Sequence, residues 1–444
     1  MEGERESSQG FESVKKLGLF SAIMIVMGAM IGIGIFSTPS EVTRYVFSPG
    51  FNLLVWCFGG GIALLGALCY AELAGLFPRV GGPYVFLSEG FTPMAGFLYG
   101  WTMLTTINTG ALAAIAYVFA EYLSFFYPLT PVGVKLWAVG CIVAFSAVNY
   151  FGIKTGAIAQ NTFTMLKVGA LIVLISVGLL WGKGGGEVPS VPFLSYNKDY
   201  PLLAAWGLAL VPVLFTYGGW QHVTFVAGEV KNPRRNLPLA QITGTMVVVV
   251  LYILTNKVFL STLPVNEIAG NVAVTSRAAE VLMGGIGARF IAAAVIISCL
   301  GVVNVLIMAP TRIYYAMSRD RLFFRKIAAL HPKYQSPHYA IILQGLWAII
   351  LILSRTFGGL LEYVVFGDWI FFGLTAGTLL VFRQKLPQAP RSYRMRGVPV
   401  LPLIFIGAAA FVVVNTFVMS FFKSLIGAGI ISLGIPVYLY WRRK

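Results

Sequence analysis

The chain has 444 residues, of which 58% are hydrophobic and only 11% are charged. A soluble domain carries about a quarter charged residues, so this composition excludes an ordinary water-soluble fold and predicts an all-α membrane protein. The net charge of +16 is explained by basic loops on one side of the membrane, as described below. It therefore gives no reason to expect a nucleic-acid partner.

Twelve apolar runs along the chain predict twelve transmembrane helices, because a bilayer-spanning helix needs about 20 mostly apolar residues. Ten of the runs contain no Asp, Glu, Lys or Arg, and the other two are interrupted only by Lys167 and by Asp368. In chain order the runs cover residues 17–40, 45–71, 90–120, 136–153, 155–182, 200–228, 236–256, 290–311, 334–354, 363–382, 397–422 and 424–441.

An even number of spans places both termini on one side of the membrane. The loops on that side hold 21 Lys and Arg residues, against 7 in the loops on the other side. Positive charge collects on cytoplasmic loops, so we expect a multi-pass protein of the cell membrane whose two termini are cytoplasmic.

The first and sixth predicted spans carry unusual glycines. In "GAMIGIGIF", Gly28 and Gly32 form a GxxxG motif, which fits a helix-packing face as well as a break. The sixth span carries "LFTYGGWQHVTF", whose adjacent glycines cannot form such a face. Each weakens a helix by about 1 kcal/mol relative to alanine, and Pro212 one turn earlier removes a further backbone bond. Both spans are therefore predicted to be broken near mid-membrane.

The two predicted breaks are five spans apart, which suggests two five-helix repeats of opposite orientation. Glycine-interrupted helices at matching places in such halves indicate a transporter site. Unwound backbone is tolerated in a membrane only where something polar pairs with it. Half-helix N-termini suit a carboxylate and free carbonyls suit an ammonium, so an α-amino acid is the expected ligand. The hinge glycines would be Gly32, Gly34, Gly218 and Gly219.

The predicted organisation has seven parts. The two repeats lie on either side of an extracellular loop, and two extra helices follow them. The parts are a cytoplasmic tail (1–16), a first five-helix repeat (17–183), an extracellular loop (184–202), a second inverted repeat (203–383), a cytoplasmic loop (384–396), helices 11 and 12 (397–441) and a cytoplasmic C-terminus (442–444).

Six stretches resemble the L-type amino acid transporter family of the amino acid–polyamine–organocation superfamily. They are "GAMIGIGIFSTPSEV" (28–42), "CYAELAGLFPRVGGPYVFLSEGF" (69–91), "NTFTMLKVGAL" (161–171), "FTYGGWQHVTFVAGEVKNPRRNLPLA" (215–240), "GDWIFFGL" (367–374) and "YRMRGVPVLP" (393–402). The resemblance implies a twelve-helix, leucine-transporter-like fold with a 5+5 inverted repeat and broken helices 1 and 6. It also implies amino acid exchange without sodium.

The resemblance also implies a substrate site built from backbone at the two breaks. The amides of Ile33 and Gly34 would hold the substrate carboxylate. The carbonyls of Met30, Phe215 and Gly218 would hold the amino group, and the Phe215 ring would close over the substrate as a gate.

Three further residues have expected roles. Gln221 lies where side-chain selectivity could be set. By resemblance, Lys167 occupies the place of a bound sodium ion in sodium-coupled relatives and tethers helix 5 to helix 1. Asp368 has two interpretations, a polar residue near a helix end or a group that binds a proton or a substrate cation. In the seventh span, Phe259 stands where the family often has a tyrosine.

The favoured function is a sodium-independent exchanger of neutral L-amino acids, since no acidic or basic group is expected to line the site. A proton-coupled symporter, or a transporter of cationic amino acids or polyamines, stays open. An enzyme is disfavoured, because no nucleophile, acid–base or metal cluster is present, and no cofactor is expected. All cysteines fall inside spans, so no disulfide-linked partner subunit is expected; they are Cys57, Cys69, Cys141 and Cys299.

Overall fold

The structure is a computed structural model that describes residues 15–181, 192–271, 273–354 and 360–443. Most of the predicted tail (1–16) and the first part of the predicted extracellular loop (184–202), residues 184–191, lie outside these residues. Within the described ranges the regular secondary structure is helical, and β-pairing is limited to two isolated bridges. The all-α prediction is therefore confirmed.

Nineteen α-helices follow one another along the described chain. In order they are α1 (Leu19–Met30), α2 (Gly34–Thr43), α3 (Pro49–Leu76), α4 (Pro83–Gly90), α5 (Pro93–Thr102), α6 (Asn108–Leu123), α7 (Pro131–Tyr150), α8 (Ile153–Trp181), α9 (Leu202–Thr216), α10 (His222–Phe225), α11 (Pro233–Thr262), α12 (Val265–Gly270), α13 (Val274–Met283), α14 (Gly285–Met308), α15 (Thr311–Arg319), α16 (His338–Leu353), α17 (Leu360–Lys385), α18 (Val400–Met419) and α19 (Phe421–Arg442). A π-helical turn (Met103–Ile107) joins α5 to α6.

Several long helices begin with the same local chemistry. Ser48, Thr92 and Thr130 each precede a proline at the first helical turn of α3, α5 and α7. Each hydroxyl accepts a hydrogen bond from the backbone N–H three residues later. This pairing satisfies one of the helix's free donors, while the proline occupies a position where its missing N–H costs nothing. The starts of these helices are thus fixed by the sequence itself.

Nine described helical stretches are long and apolar enough to cross a bilayer. The bent pair α1–α2, with an angle of 41° between its halves, makes a tenth. Two further apolar helices, α9 and α16, have 15 and 16 residues and are shorter than a full span. The sixth predicted run reaches residue 228, but its long helix stops at Thr216 because the Gly218–Gly219 pair follows. Twelve spans and the inverted repeat remain predictions.

The two interrupted helices meet in the middle of the bundle. α2 packs against α9, and the Thr38 and Thr216 hydroxyls are hydrogen-bonded at 2.7 Å. Around them, α11 packs on α1 and α3, while α14 packs on α6 and α8. α17 forms a separate wall that contacts α3, α6 and α18. The fold thus brings two stretches of irregular backbone together and surrounds them with long helices.

Linked contacts place both ends of the described chain on one face, which we call the terminal face. The N–H of Lys231 donates to the Leu17 carbonyl at 2.8 Å. Glu229, two residues before Lys231, forms an ion pair with Arg312 of α15 at 2.8 Å. The loop that follows α15 packs on the last helix. In that loop the Phe324 ring lies 4.9 Å from the Trp441 ring. The predicted common side of the two ends agrees with these contacts.

Candidate functional site

The first break lies between α1, which ends at Met30, and α2, which begins at Gly34. The N–H groups of Ile33 and Gly34 have no hydrogen-bond partner within the described residues. They lie at the N-terminus of the ten-residue α2, where the helix dipole presents partial positive charge. This end of α2 is therefore suited to binding an anionic group.

Lys167 holds the other side of the first break. Its Nζ atom donates to the Gly28 carbonyl at 2.6 Å and to the Ile31 carbonyl at 2.7 Å. The side chain is fully buried, and the Ile31 carbonyl also accepts a bond from the Ser298 hydroxyl at 3.0 Å. The ammonium of Lys167 on α8 therefore contacts one carbonyl of α1 and one of the break, which is the contact that the family resemblance implies. Lys167 does not line the cavity described below.

Tyr252 is a contact of the break that the sequence did not indicate. Its hydroxyl donates to the Met30 carbonyl at 2.8 Å, and the same carbonyl accepts from the Gly32 N–H at 2.9 Å. A carbonyl has two lone pairs, so the role predicted for Met30 toward a substrate amino group requires one of these bonds to give way. The tyrosine comes from α11, seven residues before Phe259.

The second break lies between α9 and α10 and depends on Gly219. This residue has φ +116°, and a Cβ there would lie 2.6 Å from the carbonyl oxygen of Ala29 in α1. Its N–H donates to the Gln221 side-chain oxygen at 3.1 Å, and its carbonyl is hydrogen-bonded to the His222 ring at 2.9 Å. The Phe215 carbonyl accepts from the Gly218 N–H at 2.9 Å. Glycine is therefore needed both for the backbone conformation and for close contact with α1.

Both breaks face one cavity of about 320 Å³. Its volume lies at the small end of the range for small-molecule sites, about 300–1,000 Å³. Nine of the ten predicted site and hinge residues line it: Met30, Gly32, Ile33, Gly34, Phe215, Gly218, Gly219, Gln221 and Asp368. Residues of α6 and α14, among them Asn108 and Val302, complete the walls; the sequence did not indicate them, because it does not fix how a buried helix is rotated.

The expectation that no acidic group lines the site is wrong. Asp368 and Glu41 both line the cavity, whereas no lysine or arginine of the described residues lines it. The expectation considered only the two break regions. α17 and the outer half of α2 also face the cavity, and each contributes one carboxylate.

The cavity extends from the breaks toward the face opposite to the terminal face. It reaches exposed Glu41, about two helical turns beyond Gly34 on α2. Toward the terminal face, the Arg312–Glu229 ion pair is buried from solvent, and each of its side chains is 1% exposed. Phe215 lines the cavity and is 37% exposed. This is a conformation open on one side and shut on the other.

A small cavity between two broken helices, open to one face of a bundle of apolar helices, defines a membrane carrier for a small polar ligand. Residues 17–436 match the family model described as amino acid permease. The chain belongs to this family, and it is an amino acid transporter rather than an enzyme. Its predicted membership of the L-type family within the amino acid–polyamine–organocation superfamily is confirmed.

Three relatives illustrate the similarity. The large neutral amino acids transporter small subunit 2 of Mus musculus is 30% identical over 456 residues, covering 100% of this chain and 85% of the relative. The b(0,+)-type amino acid transporter 1 of the same species is 31% identical, covering 90% and 82%. The serine/threonine exchanger SteT of Bacillus subtilis is 29% identical, covering 97% of both chains.

Proposed function

We propose that the chain is a sodium-independent exchanger that carries neutral L-amino acids by alternating access. One observation supports this most directly: the unpartnered amides of Ile33 and Gly34 face the same cavity as the second break. An amino acid zwitterion matches that arrangement, since its carboxylate suits the amides and its ammonium suits nearby carbonyls. Of the predicted carbonyls, that of Gly218 accepts no hydrogen bond from a described residue, so its lone pairs are free for the amino group.

The proposed cycle uses the conformation described above as its outward-open state. The Phe215 ring would move from its partly exposed position to cover the substrate as a gate. The hinge glycines Gly32, Gly34, Gly218 and Gly219 would then let the outer halves move while the terminal face opens. We place the terminal face in the cytoplasm because its loops hold most of the positive charge.

Sodium independence is supported by the contacts of Lys167. Its ammonium already supplies a positive charge to the Gly28 and Ile31 carbonyls at 2.6 and 2.7 Å. A sodium ion coordinated by the same carbonyls would be repelled by that ammonium. The chain would therefore run without a sodium gradient, and its coupling would come from the exchanged amino acid.

Exchange, and the absence of a disulfide to a partner subunit, are further parts of the proposal. A similar protein from Bacillus subtilis is named a serine/threonine exchanger, which favours exchange over net uptake. We also infer that no disulfide links the chain to a partner subunit, because all four cysteines lie in helices. Cys57 is exposed on α3, and Cys69, Cys141 and Cys299 are buried.

The proposal is tested with purified protein in liposomes. Vesicles preloaded with unlabelled leucine, or left empty, receive external labelled leucine, alanine or serine, with and without sodium and with and without a pH gradient. We expect uptake of L-isomers that requires internal amino acid and does not respond to sodium. Protein-free liposomes and the D-isomers serve as controls. Uptake that needs sodium, or that runs equally into empty vesicles, would refute sodium independence or exchange respectively.

A further inference from the structure

Asp368 lines the cavity between the breaks, and its carboxylate has no partner among the described residues. It lies on α17, it is half-buried, and no hydrogen bond or ion pair joins it to any described residue. The fully buried acidic side chains in the described part of the bundle are paired. Glu72 contacts Arg383 at 2.7 Å and Arg391 at 2.9 Å, and Glu229 contacts Arg312. Unlike these carboxylates, that of Asp368 faces the cavity with no basic side chain beside it among the described residues.

The charge that lines the cavity has the opposite sign to the charge of the whole chain. The protein carries a net charge of +16, yet the charged side chains that line the cavity among the described residues are those of Asp368 and Glu41. His222 also lines it, but its Nδ1 is hydrogen-bonded to the Gly219 carbonyl. Low-dielectric walls strengthen the field of unpaired charges, so the cavity attracts cations. Leaving a carboxylate unpaired within a membrane protein is costly, which favours a cationic partner during function.

Asp368 lies on a different wall from the breaks. α17 presents residues 364, 365, 368, 369 and 372 to the cavity, the spacing of one helical face. α17 packs on α3 and α6, whereas the breaks belong to the pairs α1–α2 and α9–α10. A ligand whose backbone is held at the breaks therefore has its side chain free to extend across the cavity toward Asp368.

We propose that Asp368 is the subsite for the substrate side chain and gives the carrier a preference for amino acids with a cationic side chain, such as lysine and ornithine, over neutral ones of the same shape. The inference rests on the proposed function, because it uses the placement of the zwitterion at the breaks. Neutral amino acids enter the same cavity and are held by the breaks alone. A cationic side chain gains in addition a charge-assisted hydrogen bond to the carboxylate.

The test uses lysine and norleucine, which have the same carbon skeleton and differ in the ε-ammonium group. Labelled lysine and labelled norleucine are each exchanged into liposomes preloaded with alanine, and the ratio of their kcat/KM values is the readout. In the unaltered protein we expect lysine to be favoured. Asp368→Asn should lower the lysine-to-norleucine ratio by about tenfold, which corresponds to about 1.4 kcal/mol, and should change norleucine exchange by less than about threefold.

Two further variants sharpen the experiment. Glu121→Gln removes the same charge from an exposed carboxylate on α6 that does not line the cavity, and it should leave the ratio unchanged. Asp368→Glu keeps the charge but extends the carboxylate by one methylene. It should shift the preference from lysine toward the shorter ornithine.

Each outcome decides between specific alternatives. An unaltered protein that exchanges norleucine but rejects lysine overturns the inference and leaves the proposed function standing. A ratio unchanged by Asp368→Asn, or parallel loss of both substrates in a correctly folded variant, also overturns it. Norleucine uptake that follows a pH gradient, and loses that dependence in Asp368→Asn, would make the carboxylate a proton site instead. Exchange of neither substrate by the unaltered protein would refute the proposed function itself.

Discussion

Replacing Lys167 with methionine removes the ammonium from the first break and nearly preserves side-chain volume. The Gly28 carbonyl loses the Lys167 bond, whereas the Ile31 carbonyl keeps the one from Ser298. We expect amino acid exchange to fall by at least about tenfold, or about 1.4 kcal/mol, while the Kd for the substrate changes by less than about threefold. The reason is that Lys167 contacts the break but does not line the cavity.

The expected effect on stability is small despite the strength of the lost contacts. Two hydrogen bonds to a charged group contribute roughly 3–6 kcal/mol together. Keeping an ammonium fully buried costs several kcal/mol, and methionine removes that cost. These opposing contributions predict a net change in the free energy of unfolding within about 2 kcal/mol, so Lys167→Met should still insert and fold. Lys167→Ala would add a cavity cost of about 2–5 kcal/mol and is the less informative variant.

The assay measures binding and exchange on the same preparation. Calorimetry or thermal stabilisation gives the Kd, and counterflow in liposomes gives the exchange rate, each with and without sodium. Lys257→Met is the matched control, because it removes a lysine from α11 whose side chain is exposed. It should behave like the unaltered protein in both measurements.

Two results would refute this reasoning. Equal losses in binding and exchange for Lys167→Met would place the ammonium in the substrate site. Normal binding and exchange would show that the carbonyls of the break do not need a fixed cation. A gain of sodium-stimulated exchange would instead support the interpretation that the ammonium fills a cation site.

Three other variants test the breaks and the closed face. Gly34→Ala should abolish exchange in the liposome assay, because the new Cβ would lie 2.6 Å from the Thr216 hydroxyl. Gly61→Ala is the control and should exchange normally, because its new Cβ would have no neighbouring atom within 4 Å. Tyr252→Phe should lower the free energy of unfolding by about 0.5–1.5 kcal/mol in thermal denaturation, yet should not weaken substrate binding, because it frees the Met30 carbonyl. Arg312→Met leaves the buried Glu229 carboxylate unpaired and should weaken closure of the terminal face by about 3–5 kcal/mol. Cysteines introduced on the cavity side of this ion pair should then be labelled faster, and unchanged labelling would contradict this role.

The breaks could be predicted from the sequence because their causes are local. The adjacent glycines after Phe215 and the proline before it weaken one short stretch, whatever surrounds it. The structure accordingly ends α9 at Thr216 and gives Gly219 a positive φ. Apolar composition alone continues through this break to residue 228, so the glycine pair, and not hydropathy, indicated the interruption.

Contacts between distant helices could not be predicted in this way. Tyr252 and Ser298 are 222 and 267 residues away from the carbonyls that they contact. Each lies on a long apolar helix where a single hydroxyl gives no signal. Asp368 was visible in the sequence, but its two interpretations differ only in the rotation of α17. The structure fixes that rotation by packing the helix against α3 and α6, which turns the carboxylate toward the cavity.

The backbone pairing at the terminal face also provides a way to time the transport cycle. The amides of Lys16 and Leu17 donate to the Glu229 carbonyl, each at 3.0 Å, and the amide of Lys231 donates to the Leu17 carbonyl. Any opening that separates residue 17 from residue 230 exposes all three amides to water at once. Their deuterium uptake therefore reports how often the face opens, without a label or a substitution. Adding substrate should change the deuterium uptake of these amides in proportion to the fraction of time that the terminal face is open.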